Sequence, residues 1–170
     1  EWHRLDLVLS CLGRPELADA RLVVVGEGPR SEWIARRAAE FGVSDRVLQA
    51  GDRRHEEMPG LVAAFDVALL PGAPPYASPL KLYEYLAAGL PVVAPDQANL
   101  REVLRHRHNA LLFAPGDADA LASALIELKA DAALRARLGA RARATVLDER
   151  RTWRGVARRV VEEVRPLLES

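Results

Sequence analysis

The chain has 170 residues, enough for one domain with a sizeable hydrophobic core and too few for two large ones. Hydrophobic residues make up 49% of the chain and charged residues 28%, the balance of an ordinary globular protein. Lys plus Arg and Asp plus Glu number 24 each, so no overall field recruits nucleic acid or an anionic membrane, and we predict no nucleic-acid partner.

The helical and extended patterns alternate along the first two thirds of the chain. In chain order we predict a helix at 5–12, a strand at 21–26, a helix at 29–42, a strand at 46–51, a helix from His55 onward, a strand at 66–71, a helix at 78–89, a strand at 91–94, a short helix near 100–104 and a strand at 110–113. Apolar strands separated by helices indicate a parallel sheet covered on both faces. Because the first helix should itself follow a strand, we predict an α/β, Rossmann-like sheet of about six strands, one of them before residue 1.

From Asp117 onward the pattern is only helical. Residues 131–170 carry ten arginines against six acidic residues, and both alanine and arginine are strong helix formers. Solvated faces of amphipathic helices explain this composition, and a membrane surface or a partner is the alternative. Trp153 is predicted to anchor the last helix. We treat residues 1–170 as one domain in which 131–170 is a helical appendage.

The cysteine content and the apolar segments indicate the cellular compartment of the protein. Cys11 is the only cysteine, so no internal disulfide can form, and its apolar surroundings in "DLVLSCLG" predict a core position. No secretory signal is visible at the N-terminus, and the stretch poorest in charge, residues 59–80, contains Asp66 and five prolines. These features predict a cytoplasmic protein.

The turn after the first predicted strand contains Gly26, Gly28 and Pro29. In open parallel sheets, ligands bind outside the carboxyl ends of the strands, where glycines let the backbone approach them closely. Ser31 stands where a dinucleotide fingerprint has its third glycine, so a nicotinamide-binding protein is the least favoured of the functions considered.

The segment "SPLKLYEYLAAG" is more informative. Ser78 suits an N-cap and Pro79 the first helical position, which makes Lys81 the third helical residue, with Glu84 on the same face. A lysine in the first turn opposes the helix dipole by about 0.3–1 kcal/mol. A phosphate held by the Leu80 and Lys81 backbone N–H groups and by the ammonium would offset this cost, while Glu84 would accept ribose hydroxyls. The alternative is a solvent-facing Lys81–Glu84 ion pair of little consequence.

Seven blocks occur in order along the chain: "HRLDLVL", "VVVGEGP", "VLQAG", "FDVALLP", "SPLKLYEYLAAGLPVVA", "NALLFAPGDADALASAL" and "RTWRGVARRV". Together they resemble the C-terminal, donor-binding domain of GT-B-fold retaining glycosyltransferases, the group that carries a Glu-x7-Glu motif. The resemblance covers essentially the whole chain. It implies binding of a nucleoside diphosphate sugar and retaining transfer of the sugar, with no obligatory metal or other cofactor.

The resemblance also implies a donor site. Glu84 matches the second motif glutamate, which holds the ribose, and the segment from Ser78 to Lys81 matches the part that faces the diphosphate and the sugar. Arg53 and Arg54 fall where the backbone cradles the base. The implied nucleotide- and donor-binding set is Gly26, Gly28, Pro29, Arg53, Arg54, Tyr76, Ser78, Pro79, Leu80, Lys81 and Glu84, and no catalytic residue is assigned.

Two positions depart from the family pattern. Tyr76 replaces the first motif glutamate, a donor-sugar contact, which leaves the sugar preference and the activity open. His3 replaces a lysine that contacts phosphate, and we infer that Lys81 takes over part of the charge neutralisation.

Catalysis in this family takes place between two domains, so we expect this chain to bind the donor but to transfer nothing without an N-terminal acceptor domain. The full-length enzyme is a candidate for peripheral association with the inner face of the membrane. The alternative functions are another GT-B enzyme, such as a nucleotide-sugar epimerase, and a non-catalytic interaction domain with a relic site. His106 and His108 lack a third ligand at suitable spacing, so no metal site is predicted.

Overall fold

The structure, a computed structural model, describes residues 3–147 and 151–168, in which strands and helices alternate as predicted. The strands are β1 (Leu22–Val24), β2 (Val47–Gln49), β3 (Ala68–Leu69), β4 (Val92–Pro95) and β5 (Ala110–Phe113). The helices are α1 (Leu5–Leu12), α2 (Ser31–Glu40), α3 (Met58–Ala63), α4 (Leu80–Ala87), α5 (Ala98–Arg101), α6 (Ala118–Ala130), α7 (Ala132–Leu147) and α8 (Trp153–Leu168). Single 3-10 turns lie at Pro15–Leu17, Ser44–Arg46 and His55–Glu57, the last of which leads into α3.

All strand pairs are parallel, and they form two sheets. One sheet pairs β1 with β2, and the other has the order β3-β4-β5. The α/β fold class with parallel strands is confirmed, but the described residues hold five strands rather than about six. The five strands predicted within the sequence are all present, and a sixth strand before residue 1 stays a prediction.

Helices cover both faces of the three-stranded sheet. Successive residues of a strand point to opposite faces, and β4 is buried along its whole length. Val93 packs in a cluster with Leu9 of α1 and Leu121 of α6, whereas Val92 packs in a second cluster with Leu86 of α4. The sheet therefore separates two hydrophobic cores, as the apolar strand runs predict.

Helices α4 and α7 approach each other closely at two glycines. Gly89 follows the end of α4 with a φ of +75°, a conformation that favours glycine. A Cβ placed on Gly139 of α7 would lie far inside van der Waals contact with the Gly89 carbonyl oxygen. The packing of α7 on α4 thus depends on the absence of a side chain at Gly139.

Helix α8 leaves an apolar face uncovered within the described residues. Trp153 is 83% exposed, so the prediction that it anchors the helix is wrong. Val160, Leu167 and Leu168 are also exposed, and only Gly155 of this helix is buried. An apolar periodicity predicts an amphipathic helix but does not show that a partner for its face lies within the same chain.

Two smaller sequence predictions concern Cys11 and membrane spans. Cys11 is buried, its Sγ lies 3.3 Å from the Ala118 carbonyl oxygen, and burial raises the pKa of its thiol. The predicted core position is confirmed. None of the helices in the described ranges is long and apolar enough to cross a membrane.

Candidate functional site

Helix α4 begins one residue later than the sequence predicts. Pro79 is the N-cap residue, with an extended ψ of 116°, and Leu80 is the first helical residue. No side chain caps this end of the helix, so the prediction that Ser78 is the N-cap is wrong. Proline has no N–H to lose and is tolerated outside the helix as well as at its first position. Lys81 is therefore the second helical residue, which places its charge still nearer the helix N-terminus.

Lys81 contacts a residue that is distant from it in the sequence. Its Nζ lies 3.2 Å from Nδ1 of His3, 78 positions earlier, and the ammonium donates to a neutral imidazole in this arrangement. Burial lowers the pKa of Lys81. Burial, followed by the Lys81 charge, lowers the pKa of His3. The fold thus gathers two basic side chains at the start of α4.

Lys81 has no carboxylate partner in residues 3–147 and 151–168. The ion pair with Glu84, the alternative left open by the sequence, is not formed there. Glu84 is exposed, and no hydrogen bond or ion pair to its carboxylate occurs within the described part of the chain. Both charges are available to an external ligand.

The turn after β1 is hydrogen-bonded to the turn after β2. The Gly26 N–H donates to the Gly51 carbonyl oxygen at 2.9 Å, and the Glu27 N–H donates to Asp52 Oδ1 at 2.8 Å. Gly26 has a φ of +105°, which requires glycine, and a side chain added at Gly26 would meet nothing within 4 Å. The predicted glycine turn is therefore open to a ligand. The contribution of Asp52 was not predicted, since one aspartate after a glycine is no specific signal.

Arg53 and Arg54 follow directly on this second turn, but their side chains differ in availability. Arg54 Nη2 lies 3.1 Å from Glu57 Oε1, and the Arg54 N–H donates to the other Glu57 oxygen, so both groups belong to the local 3-10 turn. Arg53 is exposed, and its side chain has no hydrogen-bond or ion-pair partner among the described residues. Arg53 is the freer of the two to meet a ligand.

Tyr76 lies in a loop whose shape is fixed by Asn99. The Asn99 Nδ2 donates to the carbonyl oxygens of Pro74 and Ala77 at 3.2 and 2.7 Å. The Ala77 N–H donates to the Pro74 carbonyl oxygen at 3.0 Å, which closes a turn around Tyr76. Tyr76 itself is 83% exposed. Asn99 is a positioning residue that the sequence did not reveal.

Two cavities flank this loop. The first has a volume of about 300 Å³ and is lined by Arg4, Tyr76 and Gln97, among others. The second has a volume of about 240 Å³ and is lined by Tyr76 and Ser78, among others. Lys81, which is half-buried beside His3, lines neither cavity.

The predicted site residues thus fall into three local groups. Leu80, Lys81 and Glu84 lie at the start of α4, with His3 added by the fold. The second group consists of two adjoining turns, one with Gly26, Gly28 and Pro29 and one that precedes Arg53 and Arg54. The third group is the loop with Tyr76 and Ser78, which leads through Pro79 into α4.

In the part of the chain that the structure describes, no group of three or more His, Cys, Asp or Glu side chains is arranged to hold a metal ion. His106 Nδ1 accepts a hydrogen bond from the Leu112 N–H at 3.0 Å, a structural role.

Comparison with known proteins relates this geometry to a family. The sequence model of the family "Glycosyl transferases group 1" matches residues 2–131. D-inositol 3-phosphate glycosyltransferase of Stackebrandtia nassauensis is 38% identical over 136 residues, which are 74% of this chain and 30% of that protein. The chain spans between 13% and 43% of the length of the curated relatives it matches.

Solved structures share the fold. HepE of Anabaena in complex with UDP has a TM-score of 0.75 at 22% identity, over 85% of this chain and 41% of that one. The C-terminal domain of the group 1 glycosyl transferase LpcC of Francisella tularensis has a TM-score of 0.73 at 18% identity, over 86% of this chain and 78% of that one. The match over residues 2–131 and the relative at 38% identity show that the chain belongs to the glycosyl transferases group 1 family.

Proposed function

We propose that this chain is the donor-binding domain of a retaining glycosyltransferase and binds the nucleoside diphosphate of a nucleotide sugar. The observation that carries the proposal is the contact between Lys81 and His3 at the start of α4, with no carboxylate to neutralise the ammonium within the described residues. Two basic groups beside free helix N–H groups are suited to a diphosphate.

Glu84 is assigned to the other end of the same nucleotide. It lies one turn along α4 from Lys81, and its carboxylate is exposed. A carboxylate accepts two hydrogen bonds from vicinal hydroxyls, as acidic residues of nucleotide-binding folds do for ribose. In this arrangement Lys81 binds phosphate and Glu84 binds the ribose 2′- and 3′-hydroxyls.

The base is assigned to the two linked turns. Gly26 offers a backbone that a ring can approach, and Arg53 is exposed next to it along the second turn. The solved relative HepE binds UDP, which makes UDP the first nucleotide to test on this chain.

Transfer of the sugar is assigned to a larger protein of which this chain is one domain. Transition-state stabilisation needs a site from which water is excluded, whereas the Glu84 carboxylate of this chain is exposed. We therefore propose that an N-terminal acceptor domain closes over the donor, that the isolated chain is inactive, and that charge neutralisation by His3 and Lys81 makes a metal unnecessary. Residues 131–170 are the helical appendage of this domain, and membrane association of the complete enzyme remains part of the proposal.

The test is calorimetric titration of the chain with UDP, GDP, ADP and NAD, followed by the 2′-deoxy form of the nucleotide that binds. One nucleoside diphosphate should bind saturably, and the missing hydroxyl should weaken binding about threefold to tenfold. Glu84→Ala, which removes both acceptor oxygens, should abolish this difference, whereas the control Glu127→Ala, which removes a side chain that pairs with Arg107, should preserve it.

Three outcomes contradict the proposal in different ways. Binding of NAD alone would place the chain among nicotinamide-binding proteins. Equal binding of ribo and deoxy nucleotides by the unmodified chain would remove the role of Glu84. If neither the isolated chain nor the complete protein binds any of the four nucleotides, the site is a relic.

A further inference from the structure

Glu27, in the turn after β1, is a charged residue that has no role in the donor site described above. Its backbone N–H donates to Asp52 Oδ1 at 2.8 Å, which fixes the main chain from which the side chain extends. The side chain reaches toward the turn after β2, since Oε1 lies 3.5 Å from the place where a Cβ on Gly51 would stand. The carboxylate therefore lies where the two linked turns meet, at the position assigned to the base.

The Glu27 carboxylate is exposed and has no hydrogen-bond or ion-pair partner in residues 3–147 and 151–168. Arg53, on the second turn, is also exposed, and it does not pair with Glu27 there. The neighbouring Arg54 is already paired with Glu57. The linked turns thus present one charged acceptor, Glu27, and one charged donor, Arg53, both available to a ligand.

Guanine is the base whose edges match these two groups. Its N1–H and N2 amine are adjacent donors, and a carboxylate has two acceptor oxygens to meet them. Its O6 and N7 are adjacent acceptors, which an arginine guanidinium can meet with two parallel hydrogen bonds. Because O6 lies next to N1–H on the ring, one acid and one arginine can read the two groups of atoms at the same time.

The other bases of common nucleotide sugars match Glu27 less well. Uracil has a single N3–H between two carbonyl oxygens, so a carboxylate accepts one hydrogen bond from it and faces a second oxygen of like polarity. Adenine has its N6 amine beside the acceptor N1, which again leaves one favourable contact. Asp52 adds a second carboxylate to the same turn, and its negative charge also disfavours bases that present acceptors there.

We propose that Glu27 and Arg53 select guanine, so that the donor of this chain is a GDP-sugar. Glu27 accepts hydrogen bonds from N1–H and the N2 amine, and Arg53 donates to O6 and N7. The assignment rests on the proposed function, because it takes the two linked turns as the place of the base. Glu27 and Arg53 are specificity residues, whereas Lys81 and Glu84 bind the diphosphate and ribose that all the candidate nucleotides share.

The experiment is calorimetric titration of the chain with GDP, inosine diphosphate, UDP and ADP, or of the complete protein if the isolated chain binds none of them. Inosine diphosphate differs from GDP only in lacking the N2 amine. We expect GDP to bind about tenfold more tightly than inosine diphosphate, and at least tenfold more tightly than UDP or ADP.

Three variants assign this preference to side chains. Glu27→Ala keeps the backbone N–H that Asp52 binds, and it should reduce the ratio of GDP to inosine diphosphate affinity to about one. Arg53→Ala should weaken both nucleotides about equally, roughly tenfold, because both carry O6 and N7. Glu32→Ala, which removes another exposed acid in the first turn of α2, is the matched control and should leave all four affinities unchanged.

The outcomes separate this assignment from the proposed function. Equal binding of GDP and inosine diphosphate, tighter binding of UDP or ADP than of GDP, or a preference that survives Glu27→Ala would each overturn the assignment. If UDP binds and its affinity depends on Glu84 and the ribose hydroxyls, the proposed function holds while the choice of guanine is refuted. If neither the chain nor the complete protein binds any of the nucleotides, both fail.

Discussion

The replacement Lys81→Met separates a functional lysine from a structural one. Methionine keeps an unbranched side chain with nearly the same helix propensity and removes only the charge. Lys81 is the second residue of α4, where an ammonium opposes the helix dipole, and it has no carboxylate partner within the described residues. The substitution should therefore affect nucleotide binding strongly and folding hardly at all.

The magnitudes follow from these contacts. Removing the unfavourable charge at the helix start contributes about 0.3–1 kcal/mol of stability. Loss of the 3.2 Å contact with His3 costs about 0.5–1.5 kcal/mol, so the two effects largely cancel in the free energy of unfolding. A charge-assisted bond to phosphate is worth about 1.5–3 kcal/mol, which corresponds to a loss of about tenfold to a hundredfold in nucleotide affinity.

Lys129→Met is the matched control, since Lys129 is the other lysine of the chain. It lies in the last turn of α6, where a cation favours the helix dipole, and it donates to the Glu16 carbonyl oxygen at 2.6 Å and pairs with Asp19. Its loss should lower the stability by about 0.5–1 kcal/mol and leave nucleotide affinity unchanged.

The assay combines urea unfolding, followed by far-UV circular dichroism, with calorimetric titration of the nucleoside diphosphate that binds. The reasoning is refuted if Lys81→Met lowers the free energy of unfolding by more than about 1.5 kcal/mol while nucleotide affinity stays the same. Lys81 would then be a surface residue that supports the start of α4.

Two further predictions test the packing and the pH response. Gly139→Ala should lower the free energy of unfolding in urea by about 2–3 kcal/mol, because its Cβ would overlap the Gly89 backbone. The control Gly60→Ala, whose Cβ would meet nothing within 4 Å, should be neutral or stabilising. Equal effects of the two substitutions would contradict the close approach of α4 and α7. The pKa of His3 in the folded state lies below its ordinary value of 6.5, so the unfolded chain binds more protons than the folded one near and below that pH. The free energy of unfolding should therefore fall as the pH drops through 6.5. A bound diphosphate favours protonated His3, so nucleotide affinity should rise from about pH 8 to about pH 6 with proton uptake, measured by calorimetry in buffers of different ionisation enthalpy. A His3→Ala variant with the same pH slope would show that another group is responsible.

The order of strands and helices was predictable because apolar runs, proline and glycine act locally. Gly89 marks the end of α4, and the all-apolar β4 identifies a buried parallel strand. The predicted start of α4 was one residue too early. Ser78 and Pro79 are each compatible with two neighbouring positions at a helix start. Propensity alone does not decide between frames one residue apart.

The tertiary part of the site was not predictable from spacing. Lys81 and His3 are 78 positions apart, and no local pattern places one against the other. The role of Asn99 depends on two carbonyl groups more than twenty positions earlier. The exposure of Trp153 could not be deduced from its helical periodicity, because that pattern does not identify the surface that a helix meets.

The hydrogen bonds between the turns after β1 and β2 have a consequence for engineering. The Gly26 N–H donates to the Gly51 carbonyl oxygen and the Glu27 N–H donates to the Asp52 carboxylate, so Asp52 supplies the only side chain in these two bonds. A graft of residues 26–30 brings its own backbone N–H groups and keeps both bonds. A graft of residues 51–54 that replaces Asp52 removes the acceptor of the Glu27 N–H, so an exchange intended to change the base should keep an aspartate at position 52.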